Sequence, residues 1–273
     1  MKQLVLAIMT MTAGALYAQT PTLYDCIYEY QMQGEGKKGH FSKIYNCILQ
    51  IGEENSKFFD YSAFRLDSVK QIKNVKDDVI KQYEKKMFKT DNLFDETIFN
   101  SVPGESFTVY ADMIPDRYRY EEKAPAMTWT LIEGRDTVCG YECRKAESEY
   151  GGRKWKVWYA EEIPVPFGPW KLAGLPGLVL KAEDGDGNHR FEAVAFRNAT
   201  TEITPDKAPN VIKMSHDKFI ERKNAYNLNP MSMFETSQIT GIWVMDKKII
   251  VNGIRLQENK DGFIPLEIIE PKK

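Results

Sequence analysis

Hydrophobic and polar positions alternate along most of the chain with a period of two. Over residues 24–32, Tyr24, Cys26, Tyr28, Tyr30 and Met32 fall on one side and Asp25, Glu29 and Gln31 on the other, the pattern of a strand with one buried face. A second strand follows at 41–51. Gly52-Glu53-Glu54-Asn55-Ser56 supplies turn residues before the chain returns at Lys57–Tyr61, so 41–61 reads as a hairpin. The period then changes. From about Asp67, Ile72, Val75, Val79 and Tyr83 step by three and four with Lys73, Lys76, Asp77 and Lys81 between them. That spacing predicts an amphipathic helix covering one face or end of the sheet.

Beyond Pro103-Gly104 the two-residue period resumes at Phe107–Ala111, at Arg117–Tyr120 and through Met127, Trp129 and Leu131. Short polar links predict antiparallel neighbours, because parallel strands need a crossover of a dozen or more residues. A short helix is expected at 215–226 with Ser215 as its cap, and further strands at Ile242–Met245 and Lys248–Leu256. The expected fold class is mainly β with minor α: a curved antiparallel sheet or half-barrel with one longer and one short covering helix.

Composition narrows the partners. The 273 residues are 42% hydrophobic and 28% charged, with a net charge of −2. This suits a globular domain and leaves no basic excess to hold nucleic acid or an anionic membrane. Met1-Lys2 precedes an apolar run from Leu4 to Leu16, and Leu16-Tyr17-Ala18 offers a signal-peptidase site. The run is shorter than the roughly 20 residues that span a bilayer, so residues 1–18 read as a signal peptide cleaved after Ala18. Residues 19–273 then form a single β-rich domain, periplasmic or secreted, with no transmembrane segment.

Export permits disulfides among Cys26, Cys47, Cys139 and Cys143, and four cysteines allow three pairings. Cys26 shares strand parity with Tyr24, Tyr28 and Tyr30, and Cys47 with Tyr45, Leu49 and Ile51. Both point into one core, which favours Cys26–Cys47 with Cys139–Cys143, the second closing only if Gly140 turns the chain. Three scattered histidines, His40, His189 and His216, lack metal-ligand spacing. They read as surface or turn residues, and no metal or cofactor is expected.

The segment 134–197 is the most informative. Trp155, Val157 and Tyr159 share one strand face, leaving Trp158 with Lys154, Lys156 and Ala160 on the other. Glu161-Glu162-Ile163-Pro164-Val165-Pro166 cannot continue a central strand because two prolines remove ladder donors, and Gly168-Pro169-Trp170 prolongs the loop. Leu175-Pro176-Gly177-Leu178 fits a type II turn with positive φ at Gly177. Asp184-Gly185-Asp186-Gly187-Asn188 reads as a hairpin tip. It is not a calcium loop, since His189 stands where the sixth-position glycine belongs and Ala195 where the twelfth-position acid belongs.

Gly174-Leu175-Pro176-Gly177-Leu178-Val179 resembles the signature of the GLPGLI family of exported Bacteroidetes proteins, with Val179 in place of the isoleucine. Trp129, Gly140-Tyr141, Cys143-Arg144-Lys145-Ala146, Val157-Trp158-Tyr159, Ile163-Pro164 and Gly168-Pro169 agree with it, as does the closing Ile264-Pro265-Leu266-Glu267. The resemblance touches most of the chain after residue 18. It implies a curved antiparallel sheet, similar to the half-barrel carriers of lipoprotein sorting, and it assigns no reaction.

No Gly-x-Ser-x-Gly elbow, His-Glu-x-x-His helix or phosphate-cradling loop occurs, and no catalytic residue is assigned. Trp158, Trp170 and Lys156 are the candidate ligand-binding residues, the two rings lining a concave face for a sugar or an apolar chain; the alternative is that both fill core. Gly174, Leu175, Pro176, Gly177 and Leu178 shape the corner. The expected function is a non-catalytic envelope protein holding a hydrophobic, peptide or glycan ligand, or an envelope partner, on a curved β surface. The alternatives are an exported hydrolase using Glu161 or Glu162 with Asp184 or Asp186, and a structural component of envelope assembly.

Overall fold

The computed structural model describes residues 20–87, 93–101, 105–113, 116–124, 127–206, 208, 210–230, 242–245, 248–251, 254–255 and 262–268. The expected signal peptide, with its cut after Ala18, lies outside the described residues. In chain order the elements are β1 (Thr20–Pro21), β2 (Tyr24–Gly36), β3 (Gly39–Ile51), β4 (Asn55–Asp60), α1 (Tyr61–Lys70), α2 (Asp77–Met87), β5 (Glu96–Ser101), β6 (Ser106–Met113) and β7 (Asp116–Lys123). There follow β8 (Thr130–Val138), β9 (Tyr141–Tyr150), β10 (Arg153–Ala160), β11 (Leu178–Asp184), β12 (His189–Asn198), β13 (Glu202–Ile203), β14 (Ile212–Lys213), α3 (His216–Leu228), β15 (Ile242–Met245), β16 (Lys248–Val251) and β17 (Ile254–Arg255). Among the described residues no helix is long and apolar enough to cross a membrane.

The protein is mainly β. Twelve strands form one open sheet in the order β14-β7-β6-β5-β4-β3-β2-β12-β11-β10-β9-β8. Two antiparallel meanders meet where β12 pairs with β2, and short β14 alone lies parallel to its neighbour, β7. The alternation of β2 is realised: Cys26, Tyr28, Tyr30 and Met32 are all buried on the inner face. Tyr30 stacks on both of its cross-strand neighbours, Tyr45 at 5.1 Å and Phe191 at 4.4 Å between ring centroids. Such aromatic rows hold adjacent strands in register beyond their backbone ladder.

The helices differ from expectation. Asp60 ends β4 and caps α1, its Oδ1 accepting from Ser62 N (2.7 Å) and Ala63 N (3.1 Å). One helix running from Asp67 through Tyr83 was the sequence expectation, but the chain breaks at residues 71–76, where Asn74 sits at φ +60°. The apolar stripe does not cover the core either, since Ile72 is 58% exposed. The covering role falls to α3, read from sequence as the short helix and in fact the longest of the three described. Its Phe219, Ile220 and Tyr226 are buried, and Phe219 packs 4.5 Å from the Tyr120 ring.

The disulfide expectation is corrected as well. Cys26, Cys47, Cys139 and Cys143 are all free thiols. Cys47 lies opposite Tyr28, and Cys26 opposite Leu49, so Cys26 and Cys47 are diagonal on one face. That places them about 7–8 Å apart, beyond bridging range without backbone movement. Gly140 does turn the chain between β8 and β9, with Cys139 at φ +52° and Gly140 at φ +85°. Cys143 nonetheless points into the core, while Cys139 is half-buried at the turn.

Candidate functional site

The loop at residues 161–177, between β10 and β11, folds back onto its own hairpin. Leu178 N donates to Ile163 O (2.9 Å), Val179 N to Phe167 O (3.0 Å) and Gly174 N to Pro166 O (3.0 Å). The corner is not the expected type II turn, because the amide of Leu178 is used by Ile163 and Gly177 does not take a positive φ; Gly174 does, at +96°. Gly177 is needed for another reason. A Cβ there would lie 2.3 Å from the Ala160 carbonyl oxygen, so only a bare backbone fits. Trp129 Nε1 reaches in from the lead-in to β8 and donates to Ala173 O (3.0 Å), and Tyr28 on β2 donates to Val179 O (2.7 Å). Leu175 and Leu178 are buried.

This loop carries Lys171 into the interior. The ammonium is buried and donates to Tyr120 Oη (2.5 Å), to Glu122 Oε1 (2.7 Å) and to Glu267 Oε1. His216, the first residue of α3, faces the other oxygens: its Nε2 lies 2.6 Å from Glu267 Oε2 and 3.6 Å from Glu122 Oε2. Burial opposes the charge on Lys171, but Tyr120, Glu267 and Glu122 outweigh it and hold the amine well above its ordinary pKa. Burial likewise pushes Glu267 up; Lys171 and then His216 overcome this and bring it down to about 2. The Glu267 hydrogen bond raises His216 against burial. Lys171 and Glu267 therefore hold their charged forms at neutral pH and His216 is shifted toward its own, a compensated network rather than a poised acid and base.

A second polar cluster joins the hairpin tip to the C-terminal segment. Arg153 is buried, pairs with Asp184 (2.7 Å) and donates to Pro265 O (2.6 Å). His189 is also buried, correcting its expected place in an exposed turn. The Pro265 carbonyl only accepts, so His189 Nε2 carries the hydrogen (3.2 Å) and Nδ1 accepts from Tyr30 Oη (2.9 Å). Burial first and the Arg153 charge second lower its pKa to about 3. His216, partly exposed at the start of α3, is also a member of the Lys171 network, while His40 is exposed.

The candidate ligand residues are not brought together. Trp170 is buried on the inner side at φ +55°, packed on Tyr150 (5.3 Å) and Trp155 (5.6 Å). It fills core and lines no surface. Trp158 lies on the opposite, outer face, in a transverse row with Lys145, Lys181, Glu192 and Glu29 set by the registers of β9 to β12 and β2. The Lys181 and Lys145 ammoniums sit 4.4 and 5.7 Å from its ring centroid, within cation–π range. Its buried Nε1 has no hydrogen-bond partner among the described residues. Lys156 stands in the next row, exposed and 3.7 Å from Glu147.

The acidic pairs of the hydrolase alternative are also far apart. Asp184 is opposite Trp155 and Leu178 opposite Ala160, so Glu161 lies six residues further along the strand, roughly 20 Å at 3.3 Å per residue. Carboxyls that cleave glycosides stand about 5–9.5 Å apart. Glu161 instead pairs with Arg144 (2.8 Å) at the surface. Inside the sheet, a cavity beside Tyr30, Met32, Tyr45, Phe94 and Phe263 has a volume of about 40 Å³, room for a water rather than a lipid chain.

No protein-family model and no curated protein matches the chain. Among solved structures it is similar to "Structure of PNGF-II in P21 space group", at 14% identity and TM-score 0.49, over 74% of this chain but 33% of that one. It spans about a third of that protein's length. It is also similar to the LolA superfamily protein NE2245 from Nitrosomonas europaea, at 9% identity and TM-score 0.27, covering 68% of this chain and 89% of that one. A putative outer membrane lipoprotein-sorting protein domain from Vibrio parahaemolyticus is similar at 11% identity and TM-score 0.22, over 64% and 86% respectively. At these values the likeness carries no functional argument.

Proposed function

We propose that the chain is an exported, non-catalytic envelope protein of the GLPGLI family that holds an extended peptide or glycan, or the surface of an envelope partner, on the outer face of its sheet around Trp158. The observation that carries this reading is Trp158 itself, a large ring on a largely polar outer face, 6% exposed beneath the Lys145 and Lys181 side chains, with its buried Nε1 unpartnered among the described residues. The ring becomes a stacking plane for sugars and peptide groups when the Lys145 and Lys181 side chains over it swing aside to meet the ligand, and Lys156, Glu147, Glu183 and Arg190 supply a polar rim in the adjacent row. The family reading is supported by Lys171, just ahead of the signature, bonding to Glu267 of the closing motif, and by Arg153 donating to Pro265 in that same motif.

Protein purified from its native envelope should carry a retained mass in native mass spectrometry, and Trp158→Ala should lose it while Lys154→Ala keeps it. If the wild-type protein is empty and Trp158→Ala leaves its co-purifying partners unchanged, the reading is wrong. An interior ligand would instead be retained by Trp158→Ala.

A further inference from the structure

We propose that Glu122, His216 and Glu267 form a binding site for a divalent transition-metal ion, zinc being the ion the donor set suits. Their donor atoms all lie within 4.8 Å of one another. Lys171 takes the Oε1 oxygen of both glutamates, as described, and Tyr150 Oη donates to the same Glu122 oxygen (3.4 Å). This leaves Glu122 Oε2, Glu267 Oε2 and His216 Nε2 turned toward one point, 3.6 and 2.6 Å from the imidazole nitrogen. Three protein donors with one position left over is the ligand count of open zinc sites, and one imidazole with two carboxylates is a donor set zinc accepts. Small outward movements bring the three atoms to coordination distance.

Two further features support a ligand role. Asp217 Oδ1 lies 3.4 Å from His216 Nδ1, where the outer carboxylate of a metal-bound histidine is ordinarily found and fixes the tautomer that leaves Nε2 free to bind. The opening also faces solvent: the His216 and Glu122 side chains keep 29% and 18% of their exposure while Glu267 is buried. An ion can therefore enter, keep a water, and tie together β7, the first turn of α3 and the C-terminal segment. Lys171 stays in place as the outer-sphere cation that orients both carboxylates. Metal binding at Nε2 displaces the hydrogen now shared between His216 and Glu267.

The test uses the full chain, reduced and freed of metal by chelation. Titration with cobalt(II) chloride should give a visible d–d spectrum that saturates at one equivalent and is displaced by zinc chloride. His216→Ala and Glu122→Gln should each weaken binding at least tenfold. Zinc should also raise the melting temperature of the wild type but not of folded His216→Ala, the fold being checked by circular dichroism. Binding left unchanged in His216→Ala, absence of a one-equivalent complex, or a cobalt–thiolate charge-transfer band assigning the ion to the free cysteines would each overturn the proposal. Should His216→Ala fail to fold, His216→Gln, which keeps a hydrogen-bonding side chain toward Glu267, replaces it in every arm.

Discussion

Replacing His189 by glutamine removes a titrating group from the core while keeping its two contacts, since glutamine can accept from Tyr30 Oη through its oxygen and donate to Pro265 O through its nitrogen. In the folded protein the imidazole is 1% exposed and its pKa is lowered from 6.5 to about 3. The unfolded chain thus takes up a proton near pH 6.5 that the folded chain refuses until about pH 3. The stability at stake is full above pH 6.5 and declines as the pH falls, by close to 1.4 kcal/mol per unit, reaching about 3 kcal/mol at pH 4. Glu267 adds its own loss, but only below its unfolded value of 4.5 as the pH approaches 2. Asp25, Asp60 and Glu96, raised by burial, act in the opposite sense, so the comparison lies between the slopes of two proteins. Urea unfolding followed by tryptophan fluorescence at pH 7, 6, 5 and 4 should show the wild type losing about 3 kcal/mol more than His189→Gln over that range. Parallel slopes would refute both the burial and the assigned neutral tautomer.

Further outcomes follow from packing. Gly177→Ala should cost about 1–3 kcal/mol, because its Cβ meets the Ala160 carbonyl at 2.3 Å, whereas Gly187→Ala, at φ +70° with open space around it, should cost about 1–2 kcal/mol through backbone strain alone; equal melting temperatures for wild type and Gly177→Ala would reject that contact. Lys171→Met should cost on the order of 3–5 kcal/mol in denaturant titration at pH 7, since buried Glu267 loses its counter-charge; a loss below about 1 kcal/mol would mean that water reaches the network. In fully reduced native protein a thiol reagent should label Cys139 first and leave Cys26, Cys47 and Cys143 until unfolding; four equally fast thiols would contradict the burial of those three.

Strand-level features were legible because a half-buried strand writes its burial locally, residue by residue. Cys26, Tyr28 and Tyr30 against Glu29 and Gln31 need no knowledge of a partner strand. The opposite faces of Trp155 and Trp158 were legible for the same reason. The helical stripe Ile72–Val75–Val79–Tyr83 misled because period alone does not say whether an apolar face finds a surface. Asn74 breaks the helix, and Ile72 and Val79 stay exposed while Val75 and Tyr83 are only half-buried. Trp170 misled in the other direction: it follows a proline in a loop, the usual setting of an exposed ring, yet the hydrogen bonds of the 161–177 loop fold it inward onto Trp155.

The Lys171 network was illegible on physical grounds. Its members lie 49 and 96 residues apart from the lysine in sequence, and each alone has the appearance of a surface charge. A buried lysine is tolerated only when its acceptors arrive from other parts of the chain, and their arrival depends on how β7, α3 and the C-terminal segment converge on the sheet. One sequence signal does anticipate it. Lys171 is set between Trp170 and Leu172-Ala173, in a loop whose prolines and Gly168 leave little freedom, and its immediate neighbours are apolar. A charge embedded in a rigid apolar loop must either reach solvent or be neutralised. Here Leu172 and Trp170 are both buried, so the lysine goes in with them and draws Glu122 and Glu267 to itself. The same requirement ties the signature loop to the closing Ile264–Glu267 segment, distant in sequence: Glu267 joins Glu122 and Tyr120 in satisfying the loop's buried charge.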